Sequence, residues 1–429
     1  MNIMKIADLF GHQWLLNQHK DTITDFTTKV KAIEGNNCSR CHQRVTAQLP
    51  NGEKYCRSCI GLGRISEKEY LIRFKDHQQF TYSSNNRSCL TWHGKLTKQQ
   101  ARVSQELTIS FKKKRNHLVH AVTGAGKTEM LFQVIDTALM KGARVAIATP
   151  RIDVVNELYP RLSSAFKEIN IGKYHGKEYC EPKNQQFIIC TTHQLLKFYH
   201  AFDLLIIDEV DSFPYINNPM LNEGAKEAVR PNGCCFYLTA TPDKSLLLRA
   251  KKNEMGYSLL NRRFHGSLLP VPQNQHYLQP FIKNGKINHK LLATISRLLR
   301  LEKPILVFIP RIAELPIYER ALKKYYSKIK INSVYAGDKK RQEKVQAFRD
   351  KALNILLTTT ILERGVTFPH VQVIVVAADD KIYTTPSLVQ IAGRVGRSID
   401  DTQGKVIFCY HKYTQTIRQA NQQIRDMNR

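Results

Sequence analysis

The chain contains the eight-residue segment Ala121-Val122-Thr123-Gly124-Ala125-Gly126-Lys127-Thr128. It matches the phosphate-loop pattern G-x-x-x-x-G-K-[ST], except that Ala121 stands where the first glycine is usual. Glycines let backbone N–H groups turn inward around an anion, the lysine reaches the β- and γ-phosphates, and the threonine hydroxyl can ligate Mg²⁺. We therefore predict that all eight residues bind ATP and that Thr128 also binds Mg²⁺.

The sequence on either side of this loop has the required order of strand, loop and helix. An apolar run at residues 117–122 comes before it, and a helical repeat of apolar residues from Met130 to Leu139 follows it. The phosphates would then lie at a helix N-terminus, where backbone N–H groups and the helix dipole favour anions. The alternative is a glycine-rich turn that matches the pattern by chance, and this context disfavours it.

From residue 96 onward, short apolar segments alternate with longer helical patterns, which predicts parallel sheets with helices on both faces. The strands predicted for a first domain are Arg144–Ala148, Phe187–Cys190, Leu204–Ile207 and Cys234–Leu238. After a looser region at 255–285, those of a second domain are Ile305–Ile309, Ile331–Tyr335, Leu353–Leu357, Val371–Ala377 and Lys405–Cys409. The sequence therefore predicts two tandem α/β domains, at 96–262 and 263–429.

Lysine and arginine number 65 against 36 aspartate and glutamate residues, a net charge of +29. This excess indicates a polyanionic partner, although a basic surface that only maintains solubility is the alternative. No apolar run approaches the roughly 20 residues of a membrane-spanning helix, and the first residues lack the apolar core of a signal peptide. We expect a cytoplasmic protein whose charge is compatible with peripheral contact at the inner face of the cell membrane.

Four of the ten cysteines form two regular pairs, Cys38-x₂-Cys41 and Cys56-x₂-Cys59. Two such pairs close a tetrahedral structural zinc site and leave no open position for a catalytic water. His42 is an alternative ligand, but a surface histidine beside the site is the simpler interpretation. The other cysteines are interpreted as buried small apolar residues: Cys89, Cys180, Cys190, Cys234, Cys235 and Cys409. We predict an N-terminal segment at 1–34, a zinc module at 35–63, and a connector at 64–95 that includes the polar stretch 81–88.

Two further groups of residues predict ATP hydrolysis. Asp208 and Glu209 follow the apolar run 204–207, at the carboxyl end of a predicted strand, where open α/β sheets bind their ligands. Asp208 would hold Mg²⁺, and Glu209 would orient and deprotonate the attacking water. In the second domain, Arg394 and Arg397 are three residues apart on a predicted helix, a spacing that suits a pair of arginine fingers. A basic helix that faces nucleic acid is the alternative for this pair.

Together these residues resemble the motor of superfamily 2 helicases over about residues 96–412. The segments that carry the resemblance are 96–100, 121–128, 148–151, 191–193, 208–211, 239–242, 358–366 and 390–397. Within the superfamily, the four-cysteine module directly ahead of the motor and the short chain are similar to the ComFA family of competence ATPases. The motifs are also similar to those of the replication-restart helicase PriA, which is longer and carries its zinc cysteines inside the motor region.

The resemblance implies two tandem RecA-like domains and a set of site residues. It makes Gln100 the adenine contact and Gln390, Arg394 and Arg397 catalytic beside Lys127, Asp208 and Glu209. Candidate contacts to the strand are Arg151, Thr191 and Thr359, which would hold phosphates without reading sequence.

The resemblance also implies a function and partners. The implied function is an ATP-dependent single-stranded DNA translocase that drives uptake of transforming DNA, with a repair or replication-restart helicase or an RNA helicase as alternatives. The expected partners are single-stranded DNA, a membrane DNA-uptake channel, other cytosolic competence proteins and a second copy of the chain. The expected cofactors are ATP, Mg²⁺ and Zn²⁺. A non-catalytic zinc-containing binding module would lack the residues for ATP hydrolysis, and those residues are present.

Overall fold

The computed structural model describes residues 6–16, 27–74, 80, 88–176, 184–397, 401 and 404–429. Residues 81–87 of the predicted polar boundary and Cys180 lie outside the described residues. The chain divides into two compact units. The first comprises Met1–His120 and Thr128–Leu259, and the second comprises Ala121–Lys127 and Leu260–Arg429. Most of the phosphate loop therefore belongs, by its contacts, to the second unit.

The strands are β1 (Gln13–Leu15), β2 (Thr27–Lys31), β3 (Ile33–Glu34), β4 (Asn37–Cys38), β5 (Ala47–Gln48), β6 (Lys54–Tyr55), β7 (Tyr70–Phe74), β8 (His117–Ala121), β9 (Val145–Thr149), β10 (Ile171–Tyr174), β11 (Phe187–Thr191), β12 (Phe202–Asp208), β13 (Val229–Thr239), β14 (Gly256–Leu260), β15 (Gln273–His276), β16 (Ile282–Lys283), β17 (Lys286–Ile287), β18 (Ile305–Phe308), β19 (Ile331–Val334), β20 (Ile355–Thr358), β21 (Gln372–Val375) and β22 (Val406–Tyr410).

The α-helices are α1 (Lys98–Lys112), α2 (Lys127–Met140), α3 (Ile152–Ala165), α4 (Pro219–Ala228), α5 (Lys244–Lys251), α6 (His289–Leu299), α7 (Leu315–Tyr325), α8 (Arg341–Arg349), α9 (Thr385–Ala392) and α10 (Gln415–Asn428). Short 3₁₀ segments lie at Ile6–Leu9, Arg57–Leu62, Thr192–Lys197, Ile312–Glu314 and Thr360–Leu362.

The sheet of the first unit has the strand order β10-β11-β9-β12-β13-β8-β14. Its registered pairs from β10 to β8 are parallel. Strands buried on both faces are continuously apolar rather than alternating, and residues 204–207 of β12 are fully buried. The carboxyl ends of β9, β11 and β12 lie side by side, which places residues 149, 191 and 208 at one edge of the sheet.

The sheet of the second unit has the order β15-β22-β21-β18-β20-β19, with parallel pairs throughout. Its core is built from β18, β20, β21 and β22 against α6 and α7. Together the two sheets confirm the predicted α/β class and the two successive parallel sheets.

The N-terminal part of the first unit contains structure that the sequence did not predict. Strands β1, β7 and β2 form an antiparallel sheet, and β7 lies within the segment predicted as a connector. Two hairpins with strands of two residues each, β3–β4 and β5–β6, carry the cysteine pairs. The four cysteines share one core cluster with residues of β11, β12 and α4, so this part packs directly on the larger sheet of its unit.

Candidate active site

The phosphate loop has the geometry that its sequence predicts. Ala121 is the last residue of β8, where an extended backbone accepts alanine as readily as glycine. Gly124 and Gly126 have φ values of +78° and +71°, in the left-handed region that favours glycine. Lys127 is the first residue of the 14-residue helix α2, so the loop ends at a helix N-terminus.

Gln100 lies in the first turn of α1 and takes part in its cap. Its side-chain oxygen accepts a hydrogen bond from the Thr97 backbone N–H at 2.9 Å, and the Thr97 hydroxyl accepts one from the Gln100 N–H at 3.3 Å. This capping box fixes the start of the helix. The structure therefore gives Gln100 a definite position, and its contact to adenine stays a prediction.

The acidic pair lies at the carboxyl end of β12, as predicted. Asp208 is the last residue of the strand, and its Oδ1 accepts the Glu209 backbone N–H at 2.9 Å. Glu209 has a φ of +57°, a strained conformation for a residue with a side chain, and such strain is concentrated at functional sites. The backbone therefore turns sharply at the residue predicted to orient the attacking water.

Asp211 is a member of this site that sequence reasoning left without a role. Its buried carboxylate accepts a short hydrogen bond from the Thr241 hydroxyl, and the Thr241 backbone N–H donates to the Thr239 hydroxyl at 2.9 Å. The segments 208–211 and 239–242 are thus joined by a direct charge-assisted hydrogen bond. His120, just before the phosphate loop, contacts the Ala240 carbonyl through Nε2 at 3.2 Å.

The prediction that Arg394 and Arg397 lie on a helix is wrong. Helix α9 ends at Ala392, and both arginines lie in the turn beyond it. Gly396, with a φ of +71°, cannot continue a right-handed helix.

Both arginines contact backbone or side-chain oxygens of the second unit. Arg394 is buried and donates a short hydrogen bond to the Val366 carbonyl. Arg397 donates to the Gly393 carbonyl at 3.2 Å and to the Thr367 hydroxyl at 3.3 Å.

Within the second unit, the phosphate loop contacts this arginine turn directly. The Thr123 hydroxyl donates to the Gly393 carbonyl at 3.3 Å. A Cβ placed on Gly124 would lie 3.7 Å from Cγ of Arg397. Gln390 is buried in the last turn of α9, on the residues that lead into the turn. The structure therefore brings Arg397 to the phosphate loop, and the catalytic roles of Gln390, Arg394 and Arg397 stay predictions.

The three candidate contacts to a nucleic-acid strand lie at the carboxyl ends of strands. Arg151 precedes α3, and its Nε donates to the Ser212 hydroxyl at 3.3 Å. Thr191 is the last residue of β11, and Thr359 directly follows β20 in the second unit. Both threonines are largely buried, and their contact to phosphates stays a prediction.

The four cysteines form a cluster that fits a tetrahedral metal. Their sulfur atoms lie within 4.8 Å of one another, and all four side chains are buried. The Sγ atoms of Cys38 and Cys59 are 3.8 Å apart and those of Cys41 and Cys56 are 3.5 Å apart. Zn–S bonds of about 2.3 Å in a tetrahedron give sulfur separations of about 3.8 Å.

Groups around the cluster attach it to the rest of its unit. Arg40 is buried and donates to the Cys59 sulfur at 3.4 Å and to the Gly63 carbonyl at 2.7 Å. The Nε2 atom of His42 lies 2.9 Å from the Glu227 carboxylate of α4, which Arg73 also approaches at 3.5 Å. His42 therefore contacts α4 and lies outside the group of four sulfur ligands.

Comparisons with known proteins decide the family. The chain is 40% identical to competence protein ComFA of Streptococcus pneumoniae, over 91% of this chain and 90% of that protein. It is 38% identical to competence protein ComFA of Bacillus subtilis, over 92% and 85% of the two chains. The chain belongs to the ComFA family. The transcription-repair-coupling factor of Bacillus subtilis is less similar to this chain, 24% identical over 74% of this chain and 27% of that protein.

Domain models and solved structures agree with the motor assignment for this ComFA-family chain. Residues 93–244 match the type III restriction enzyme res subunit, and residues 286–399 match the helicase conserved C-terminal domain. Yeast Dbp5 bound to RNA and ADP BeF3 has a TM-score of 0.59 at 16% identity, over 78% of this chain and 88% of that one. Mss116 bound to ssRNA and UDP-BeF has a TM-score of 0.56 at 17% identity, over 73% and 70%.

These matches establish the broad class of the chain. The two parallel sheets are RecA-like domains, and the chain is a nucleic-acid-dependent ATPase of helicase superfamily 2. Among the described residues, no helix is long and apolar enough to cross a membrane.

Proposed function

We propose that this chain is an ATP-driven motor that moves single-stranded DNA during natural competence. The observation that carries the proposal is family membership over nine-tenths of the chain, together with a phosphate loop whose glycines have the required backbone geometry. The net charge of +29 supports binding to a polyanion such as DNA.

In this proposal, the residues that bind the nucleotide act as follows. Gln100 contacts adenine, and the loop Ala121–Thr128 surrounds the phosphates with Lys127 as the charged donor. Thr128 and Asp208 would hold Mg²⁺, which neutralises phosphate charge when bound. Both residues carry the oxygen donors that Mg²⁺ prefers, so the residues present fit the ion.

The residues that act on the reaction are Glu209 and the two arginines. Glu209 orients the attacking water and accepts its proton, and its strained backbone supports a functional role for this position. Arg394 and Arg397, with Gln390, stabilise the charge that develops on the transferred phosphoryl group. The hydrogen bond between Thr241 and Asp211 links the hydrolysis motif to the neighbouring segment 239–242.

Strand binding and partners complete the proposal. Arg151, Thr191 and Thr359 contact the phosphates of a single strand, so binding is independent of base sequence. The four-cysteine cluster binds Zn²⁺ and stabilises the N-terminal module, which offers a surface to DNA or to a protein partner. The motor acts at the inner face of the membrane with a DNA-uptake channel and other competence proteins.

The direct test is ATP hydrolysis by the purified full chain in the presence of single-stranded DNA or of RNA of the same length. We expect DNA to stimulate ATP hydrolysis more than RNA does. Greater stimulation of hydrolysis by RNA would overturn the assignment of DNA as the nucleic acid on which the motor acts. Lys127→Ala and Glu209→Gln should each abolish turnover while DNA binding remains. Lys141→Ala removes an exposed charge just beyond the far end of the same helix and serves as the control. Undiminished hydrolysis in both site variants would refute the proposed site.

A further inference from the structure

Arg263 is a fully buried arginine that no sequence motif marks. It follows β14, in the segment between the last strand of one sheet and the first of the next. Its Nη1 donates to the carbonyls of Val395, at 2.6 Å, and Gly396, and its Nη2 donates to the Gly393 carbonyl at 3.2 Å. The guanidinium therefore lies inside the turn that carries Arg394 and Arg397.

Arg263 also contacts the phosphate loop, which belongs to the same compact unit. A Cβ placed on Gly124 would lie 3.7 Å from both Cγ and Cδ of Arg263, and at the same distance from Cγ of Arg397. The next residue, Phe264, donates its backbone N–H to the Gly124 carbonyl at 3.2 Å. Two arginines thus lie beside the central glycine of the loop.

The charge of Arg263 lacks a counter-charge within the described part of the chain. Its hydrogen-bond acceptors are three neutral carbonyls, and its Nε atom is buried without an acceptor. A buried charge is costly unless an opposite charge compensates it. Burial, and then repulsion by Arg397, lower the pKa of Arg263 to about 9, so the group stays charged at neutral pH. Two buried or half-buried cations beside a phosphate loop form a site for a strongly charged anion.

We propose that Arg263 binds the polyphosphate of the nucleoside triphosphate directly, with Arg397, over Gly124. This inference rests on the proposed function, because it assigns a further binding residue to the same nucleotide. The Nε atom supplies the hydrogen bond, and the phosphate charge relieves the repulsion between the two guanidinium groups. The three carbonyl contacts hold the guanidinium in place before the nucleotide binds.

The test compares nucleotide affinities of Arg263→Gln with those of the neighbouring variant Arg262→Gln. Arg262 is half-buried and adjacent in sequence, so the control removes the same charge one residue away. The affinity for ATP, ADP and AMP is measured from the concentration of each nucleotide that displaces a fluorescent ATP analogue in the presence of Mg²⁺. We expect Arg263→Gln to weaken ATP binding by about tenfold to a hundredfold, the effect of losing a hydrogen bond to a charged group. AMP binding and the Arg262→Gln variant should remain within about twofold of wild type, since neither loses a polyphosphate contact.

The alternative is that Arg263 only holds the turn 393–396 in shape. That role predicts that Arg263→Gln loses the same factor of affinity for ATP, ADP and AMP and has a lower melting temperature without nucleotide. This result would overturn the proposal. If Arg263→Gln fails to fold, Arg263→Lys keeps the charge and loses the forked geometry. It should then bind ATP about tenfold more weakly with AMP affinity unchanged, and wild-type ATP affinity in this variant would also overturn the proposal.

The outcome separates this inference from the proposed function. If wild type binds ATP and Lys127→Ala abolishes hydrolysis, but Arg263→Gln behaves like Arg262→Gln, only the role of Arg263 is refuted. If wild type neither binds ATP nor responds to single-stranded DNA, the proposed function itself is wrong.

Discussion

Removal of the metal from the four-cysteine cluster is expected to unfold the N-terminal module and to leave the motor chemistry partly active. The perturbation is the double variant Cys38→Ser, Cys41→Ser, which removes one ligand pair. Cys234→Ser is the matched control, because Cys234 is equally buried but lies in β13, outside the cluster.

The structure supplies the magnitude of this effect. The hairpins β3–β4 and β5–β6 have strands of only two residues each. Hairpins this short do not stay folded unless other interactions stabilise them. The buried side chains of Val45 in the module, and of Ile33 and Ile65 two residues beyond its two ends, supply about 5–9 kcal/mol at about 1.5–3 kcal/mol each, as an upper estimate. A structural zinc ion supplies about 10–16 kcal/mol. Because the metal outweighs the apolar contacts of the module, its loss should unfold residues 35–63 locally.

The assay combines metal analysis with limited proteolysis. Wild type and Cys234→Ser should contain a single zinc ion per chain and resist cleavage within residues 35–63. The double variant should lose the zinc and be cleaved there, while ATP hydrolysis is reduced rather than abolished. A wild-type protein without metal, or a double variant that retains zinc and protease resistance, would show that the four cysteines do not form a structural zinc site.

Two buried side chains and the proposed contacts to DNA phosphates each give a further prediction. Burial lowers the pKa of His117 from 6.5 to about 4, against a raising effect of Glu106. The buried neutral ring of His117 therefore contributes its full stabilisation of the folded state above pH 6.5. That stabilisation is lost as the pH falls from 6.5 through 4. Wild type should lose up to about 3 kcal/mol of unfolding free energy over this range relative to His117→Asn; parallel pH curves for the two proteins would contradict the assignment. Thr241→Val should lower the unfolding free energy by about 1.5–3 kcal/mol and reduce ATP turnover, whereas Thr241→Ser keeps the hydroxyl and should behave as wild type in both assays. Single-stranded DNA binding should weaken as the salt concentration rises. A plot of log K against the logarithm of the salt concentration should have a slope of about −0.7 for each phosphate that the protein neutralises. An affinity that does not depend on salt would argue against phosphate contacts.

The fold of the motor was predictable because its signals are local and strong. The strand, loop and helix around 121–128 are encoded by an apolar run, glycines at left-handed positions and a helical apolar repeat. The central strands of both sheets are buried on both faces and therefore appear as continuous apolar runs.

Two of the missed strands carry no such signal, whereas β7 is apolar and was missed because it lies within the segment predicted as a connector. β15 is the polar segment 273–276 at the edge of its sheet, and β2 is the segment 27–31, largely threonine and lysine. Edge strands bury little side-chain surface, so their sequences are not constrained to be apolar. Their pairing is set by distant partners, which a local pattern does not reveal.

The sequence predicted those residues of the candidate site that belong to a motif with a known chemical role. It did not predict a residue that only tertiary packing brings to the site. Asp208 and Glu209 lie at the strand end as expected. The spacing of Arg394 and Arg397 predicts a helix, but α9 ends at Ala392, before both arginines. Arg263 is part of no motif, and only its contacts across more than a hundred residues of sequence bring it to the arginine turn.

ATP-driven movement along DNA is tested most directly by the displacement of streptavidin from an end-biotinylated single-stranded DNA. Wild type should displace streptavidin from one end of the strand with ATP and should not do so with a non-hydrolysable analogue. Lys127→Ala should bind the same DNA and displace nothing under any condition. Displacement by Lys127→Ala, or by wild type without ATP hydrolysis, would contradict the claim that this chain is an ATP-driven motor on DNA.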